Sequence, residues 1–306
     1  MSDEMVVKFW GVRGSYPVPG ASTLRYGGNT PCVELRASGQ TIILDAGTGI
    51  IGLGSELSRR SKETGKPVVA TMLFSHMHHD HTQGFPFFTP AYNGSSILYM
   101  FGPSIFERNL KELLDRAMLP PAFPVSLEEM NSLKVMRNIC ETDVVLLGEK
   151  VGGVAVRNIY HESVENDDSL VRIRTLRSYA HPDGVHTYRI EWKGRSVVYA
   201  TDTEGYVGGD QRLVAFSRGA DILIHDAQYT EEHYLGRRPG APATQGWGHS
   251  TAAMACEVAK QAQVKQLILF HHEPLYDDDT IAQIEEAARR AFPNTISAHE
   301  GLEIRL

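Results

Sequence analysis

Residues 75–81 read Ser-His-Met-His-His-Asp-His, directly behind the apolar run Val68–Phe74. An apolar run of that length with β-branched and aliphatic residues reads as a buried strand. Four imidazoles and one carboxylate therefore leave the end of a buried strand together. Burying them unpaired would cost desolvation, and protonating several neighbouring histidines would cost repulsion. Divalent cations remove both costs, because neutral imidazole and carboxylate are their natural ligands. Alternate side chains of an extended segment point the same way, so His76 and His78 can share one ion. After a turn, Asp80 and His81 can reach a second ion beside it.

The pattern His-x-His-x-Asp-His at positions 76–81 resembles the signature of the metallo-β-lactamase superfamily of dinuclear hydrolases. The resemblance extends along nearly the whole chain, from the first glycine turn to His271. It implies an α/β fold, an αββα sandwich of two mixed β-sheets flanked by helices, with metals at one edge and residues 1–306 forming a single domain. It also implies two divalent metal ions. Nitrogen and oxygen donors suit zinc first, with manganese or iron as alternatives. His181, in Ser-Tyr-Ala-His-Pro-Asp-Gly, would join His76 and His78 on the first ion. Asp202, behind the apolar run Val197–Ala200, would bridge both ions. His271, behind Leu267–Phe270, would join Asp80 and His81 on the second, with its neighbour His272 as the competing choice. Asp45, behind Thr41–Leu44, is expected to brace the metal loop.

Composition bounds the partners. The chain has 306 residues and is 42% hydrophobic, enough for a full core. Its formal net charge of -7 provides no global basic field. The expected partner is accordingly a small phosphodiester, with no long nucleic acid and no membrane; a homodimer is left open. The three cysteines contain no CxxC pair, and the acidic start Met-Ser-Asp-Glu-Met is unlike a signal peptide. Both lead to an expected cytoplasmic location.

Elsewhere, Ile50–Thr64 and Leu127–Leu133 read as helices, and Pro103-Ser104 as the opening of another carrying Ile105, Leu110, Leu113 and Leu114. The aromatics of Phe85–Tyr92 could stack on a base or pack beneath the site. Arg13 and Asn29, on glycine-rich turns, are candidates to face substrate.

Two segments bear on the chemistry. Asp221–Tyr229 is a strand carrying Asp226, and Gly248-His249-Ser250-Thr251 precedes an alanine-rich helix for which Ser250 is the expected N-cap. A His-Ser-Thr motif in this position resembles the superfamily's phosphodiesterase branch, which includes the tRNA 3′-end endonucleases. The resemblance implies attack on phosphorus by a hydroxide bridging the two ions, with His249 as general acid on the leaving oxygen and Asp226 orienting it. Only about twenty residues separate His181 from Asp202, too few for a protruding tRNA-binding arm. The expected substrate is then a 3′,5′-cyclic nucleotide. The alternatives are a small-RNA nuclease related to tRNA 3′-processing enzymes, or a non-catalytic nucleotide or metal sensor that keeps the fold.

Overall fold

The computed structural model describes residues 3–104, 108–121, 123–164, 167–206 and 208–306. Its apolar runs form two mixed β-sheets packed face to face. The first orders its strands Glu303–Arg305, Val6–Gly11, Cys32–Ala37, Gln40–Leu44, Val69–Leu73, Ile97–Gly102 and Leu133–Asn138. The second runs Thr295–Ser297, Gln266–Phe270, Ile222–Asp226, Arg195–Ala200, Val185–Trp192, Val171–Ser178, Asp143–Gly148 and Gly153–Asn158. Each sheet is parallel in one part and antiparallel in the other.

Period-2 alternation assigns the faces. Ile42 and Leu44 point into the layer between the sheets, where they meet Tyr199, Ile224 and Phe270 from the other sheet. Ile43 points outward to Ile50, Leu53 and Leu57 of the helix Gly49–Thr64. On the other side, Val198, Leu223 and Leu269 face outward against Ala255 and Ala259 of the helix Ala252–Ala262. Layers on both faces explain why these strands read as continuous apolar runs. The result is the expected αββα sandwich.

The parallel strands matter for function. Asp45, His76, Asp202, Asp226 and His271 all lie at or just beyond the C-terminal ends of strands in the parallel parts of the two sheets. Ligands of open α/β sheets bind at such ends, because the loops that follow converge there. Asp45, Asp202 and His271 turn with left-handed backbone, at φ 60°, 51° and 64°. Non-glycine residues seldom adopt that region, and they do so where surrounding structure imposes it.

Two expected elements differ. Leu127–Leu133 is not a helix: Ser126 and Glu129 close a turn, and Leu133 opens a strand paired with Ile97. Strand pairing there outweighs local propensity. The helix expected from Pro103 is Leu110–Ala117, with a capping box between Asn109 and Glu112. Ile105 lies outside the described residues. Cys32, Cys140 and Cys256 are free thiols. Among the described residues, no helix is long and apolar enough to cross a membrane.

Candidate metal centre

The loops at these strand ends bring together the seven residues expected to hold metal, with His249 and Asp226 beside them. Ligand-capable atoms of His76, His78 and His181 lie within 4.8 Å of one another, as do those of Asp80, His81, Asp202 and His271. Asp202 joins the two groups: its Oδ1 is 3.7 Å from His76 Nε2, and its Oδ2 is 3.2 Å from His81 Nε2. His78 Nδ1 and His181 Nε2 approach to 2.9 Å, and His81 Nε2 and His271 Nε2 to 3.3 Å.

The opposite ring nitrogens are held from behind. Asp45 Oδ2 accepts from His81 Nδ1 at 2.8 Å. The Gly248 carbonyl accepts from His181 Nδ1 at 3.2 Å, and Gln228 Oε1 from His271 Nδ1 at 3.0 Å. Each partner is an acceptor only, so Nδ1 carries the proton and the Nε2 lone pair faces the cluster. Asp45 has the bracing role expected of it: it also accepts from Ser75 N, Ser75 Oγ and Tyr199 Oη, at 2.7, 2.7 and 2.8 Å. Ser15 N donates to Asp80 Oδ2 at 2.8 Å. Gln228, Ser15 and the Gly248 carbonyl escape a sequence reading, because nothing in their local pattern marks them.

The electrostatics suit a cation. Burial holds His76, His78 and His181 below the ordinary histidine value, His181 at about 4, so all three are neutral donors at pH 7. Burial also opposes charge on His81, but Asp202, Asp80 and Asp45 outweigh it and raise the imidazole well above its usual value; its Nε2 lone pair becomes available when a cation takes the place of that second proton. Asp80 and Asp202 are held ionised against burial by His81 and His271. His76 Nε2 is buried with no hydrogen-bond partner. An orphaned imidazole nitrogen among neutral imidazoles and carboxylates is the donor set of a divalent ion.

His249 stands beside this cluster. Its Nδ1 donates to Asp226 Oδ2 at 2.9 Å, and its ring stacks on His271 with centroids 5.0 Å apart. Asp226 Oδ1 accepts from Ser250 N at 2.8 Å and Gln228 N at 3.2 Å, which leaves the carboxylate fully engaged. Burial disfavours the imidazolium, but Asp226, Asp202 and Asp80 push His249 up to about 9.

Several side chains fall elsewhere. His272 points away, with Nε2 donating to the Ala298 carbonyl, which leaves His271 as the residue in the cluster. Thr251, not Ser250, caps the following helix; Ser250 Oγ donates instead to the Thr203 carbonyl. Arg13 does not face substrate. It is fully buried and donates to the carbonyls of Gly27, Glu273 and Tyr276. Asn29 is tied to Glu300. Phe85 and Phe88 pack in the core, and Phe87 lies edge-on to Phe123.

Comparison with known proteins agrees with this geometry. Residues 40–272 match the family model described as the beta-lactamase superfamily domain. Ribonuclease Z of Thermococcus kodakarensis is 27% identical over 289 residues, covering 85% of this chain and 83% of that protein. YhfI of Bacillus subtilis, a metallo-beta-lactamase fold protein, superposes with a TM-score of 0.66 at 17% identity, over 99% of this chain and 100% of that one. The short form of human tRNase Z gives 0.59 at 19% identity, over 98% of each. The ribonuclease relatives overturn the exclusion of a long nucleic acid. That exclusion rested on overall charge and on the missing arm, whereas the field at a site is set by the ions and side chains lining it. With its sandwich, its clustered histidines and aspartates and a family match over most of its length, the chain belongs to the metallo-β-lactamase superfamily of metal-dependent hydrolases.

Proposed function

We propose that this protein is a dinuclear metal-dependent phosphodiesterase that cleaves RNA near a 3′ end, with His249 as general acid and Asp226 as the residue that orients it. The observation that carries the reading is the His249–Asp226 pair at 2.9 Å, set against the His and Asp cluster. Relatives named ribonuclease Z support an RNA substrate over the 3′,5′-cyclic nucleotide expected from the sequence. Both sheets contribute side chains to the site, so we read residues 1–306 as one domain.

His76, His78 and His181 would hold one cation, and Asp80, His81 and His271 the other, with Asp202 between them. Zinc is the first choice for these nitrogen and oxygen donors. When bound, the cations supply Lewis acidity toward the phosphate and lower the pKa of a water. The remaining work belongs to the chain. Asp226 fixes the orientation of His249 by accepting the hydrogen bond of its Nδ1–H, so the opposite nitrogen is the one that can deliver a proton. The same carboxylate holds Ser250 N, which keeps the loop from swinging the ring away. A ribose oxygen leaves as a strong base and needs that proton; a p-nitrophenolate does not.

The leaving group therefore provides the test. His249→Ala should lower cleavage of a short RNA by about 10²–10⁴-fold. Hydrolysis of bis(p-nitrophenyl) phosphate and the bound metal should change little. Equal losses on both substrates, or no loss on RNA, would remove His249 from the acid role.

A further inference from the structure

A cleft of about 890 Å³ opens beside the metal cluster, lined by His181 on the cluster side and by Arg177, Tyr179, Glu204, Tyr206 and Gly246 beyond it. The cluster itself does not use these outer side chains. Tyr179 is 72% exposed and Tyr206 54% exposed, so two flat rings stand open to solvent at the wall of a site that handles phosphate esters. The Arg177 guanidinium lies 5.1 Å from the centre of the Tyr179 ring, and its Nε is buried without a partner. A cation backing an exposed aromatic ring is an arrangement that binds the face of a nucleobase.

The wall is held in place. Glu204 accepts from Gly246 N at 2.8 Å, Gly248 N at 2.9 Å and Tyr234 Oη at 2.6 Å. One carboxylate thus ties the cleft wall to the loop that carries His249. The cleft is also large. Pockets of roughly 300–1,000 Å³ accommodate whole drug-sized ligands, and a single cyclic nucleotide would leave much of this one empty. The space suits a nucleotide that continues from the scissile phosphate. Between His181 and Asp202 the chain has only the antiparallel pairing of Val185–Trp192 with Arg195–Ala200, so grip on RNA must come from surfaces such as this.

We infer that Tyr179 and Tyr206, with Arg177 behind, form a stacking subsite for a nucleobase of single-stranded RNA next to the scissile phosphodiester. This rests on the RNA-cleaving reading above and adds residues that choose the substrate.

The experiment separates the two. Binding of a 5′-fluorescein-labelled RNA pentamer is measured by anisotropy on wild-type protein, Tyr179→Ala, Tyr206→Ala and Tyr179→Phe, all without added metal. A parallel set of pentamers carries one abasic residue at each position in turn. Losing one stacked base should weaken binding about tenfold. Each alanine variant should show that loss, Tyr179→Phe should not, and one abasic position should weaken wild type but not Tyr179→Ala. Cleavage with metal should show the same factor in KM for RNA, with kcat and the turnover of methyl p-nitrophenyl phosphate unchanged. Equal binding by wild type and both alanine variants, or an abasic penalty that persists in full in the variants, would overturn the subsite. Discriminating binding without cleavage of any phosphodiester would instead leave the subsite standing and remove the proposed activity.

Discussion

The Gly248 carbonyl lies 3.2 Å from His181 Nδ1, and a methyl group added to Gly248 would sit 2.3 Å from that same nitrogen and 2.8 Å from the His181 Cα. The second distance is to backbone, so rotation of the imidazole cannot relieve the clash. Gly248 also has φ +89°, which an alanine rarely adopts. Gly248→Ala should therefore displace His181 from His76 and His78. The expected outcome is loss of bound metal with the far-ultraviolet spectrum kept, read by elemental analysis after buffer exchange. Full metal content in this variant would mean that His181 is not a ligand.

Gln228 is expected to act on the metal without touching it. Its Oε1 holds His271 Nδ1, and its Nε2 donates to Glu273 at 2.8 Å and Ser15 Oγ at 3.2 Å. Removing such a partner from a ligating histidine costs about 10–100-fold in metal affinity. Gln228→Ala should show a loss of that size in competition with a chromogenic chelator. An unchanged affinity would show that packing alone orients His271.

Asp226 and His249 should behave as one unit. Asp226→Ala strips His249 of its carboxylate and the loop of its anchor at Ser250 N. Groups that act together are non-additive when removed. The double variant Asp226→Ala/His249→Ala should cleave RNA no more slowly than His249→Ala alone. Multiplying losses in kcat/KM would argue for two independent roles.

Acid stability offers a test away from the metal. His186 is buried beside Tyr188, and burial, with Arg177 in support, lowers it to about 3 from an ordinary value of 6.5. The folded protein keeps this ring neutral while the unfolded chain protonates it. The associated stability is complete above pH 6.5 and is lost as pH falls toward 3. Between those values one proton adds a slope of about 1.4 kcal/mol per pH unit. His186→Gln should lose that slope in urea titrations from pH 7 to pH 4. Parallel curves for the two proteins would show that His186 does not titrate as described.

Much of the architecture can be read locally. Ile42, Ile43 and Leu44 alternate between two covered faces, so the strand is legible as a continuous apolar run. Residues 70–73 and 267–270 are buried in the same way, and His76 and His271, which follow these strands, lie in the cluster. Where a local rule met a competing partner it failed. Leu133 pairs with Ile97 instead of ending a helix, and Thr251 displaces Ser250 as cap because Asp226 and Thr203 engage Ser250. Arg13, on a glycine-rich turn, reads as a candidate to face substrate, yet the carbonyls of Gly27, Glu273 and Tyr276 receive it in the interior.

The sequence by itself determined the apolar strands, their ends and the order in which histidines and aspartates follow them, because side-chain periodicity and strand length are properties of neighbouring residues; the two-sheet layering was legible only through the family resemblance of those motifs. Tertiary structure alone decided between His271 and His272, through the left-handed turn at His271 and the Ala298 carbonyl that takes up His272. It also chose the groups behind the ligands, such as Gln228, 43 residues from His271, and Gly248, 67 residues from His181. A hydrogen bond needs its partners placed within tenths of an ångström, and for loops so far apart in the chain that placement exists only once the two sheets have packed.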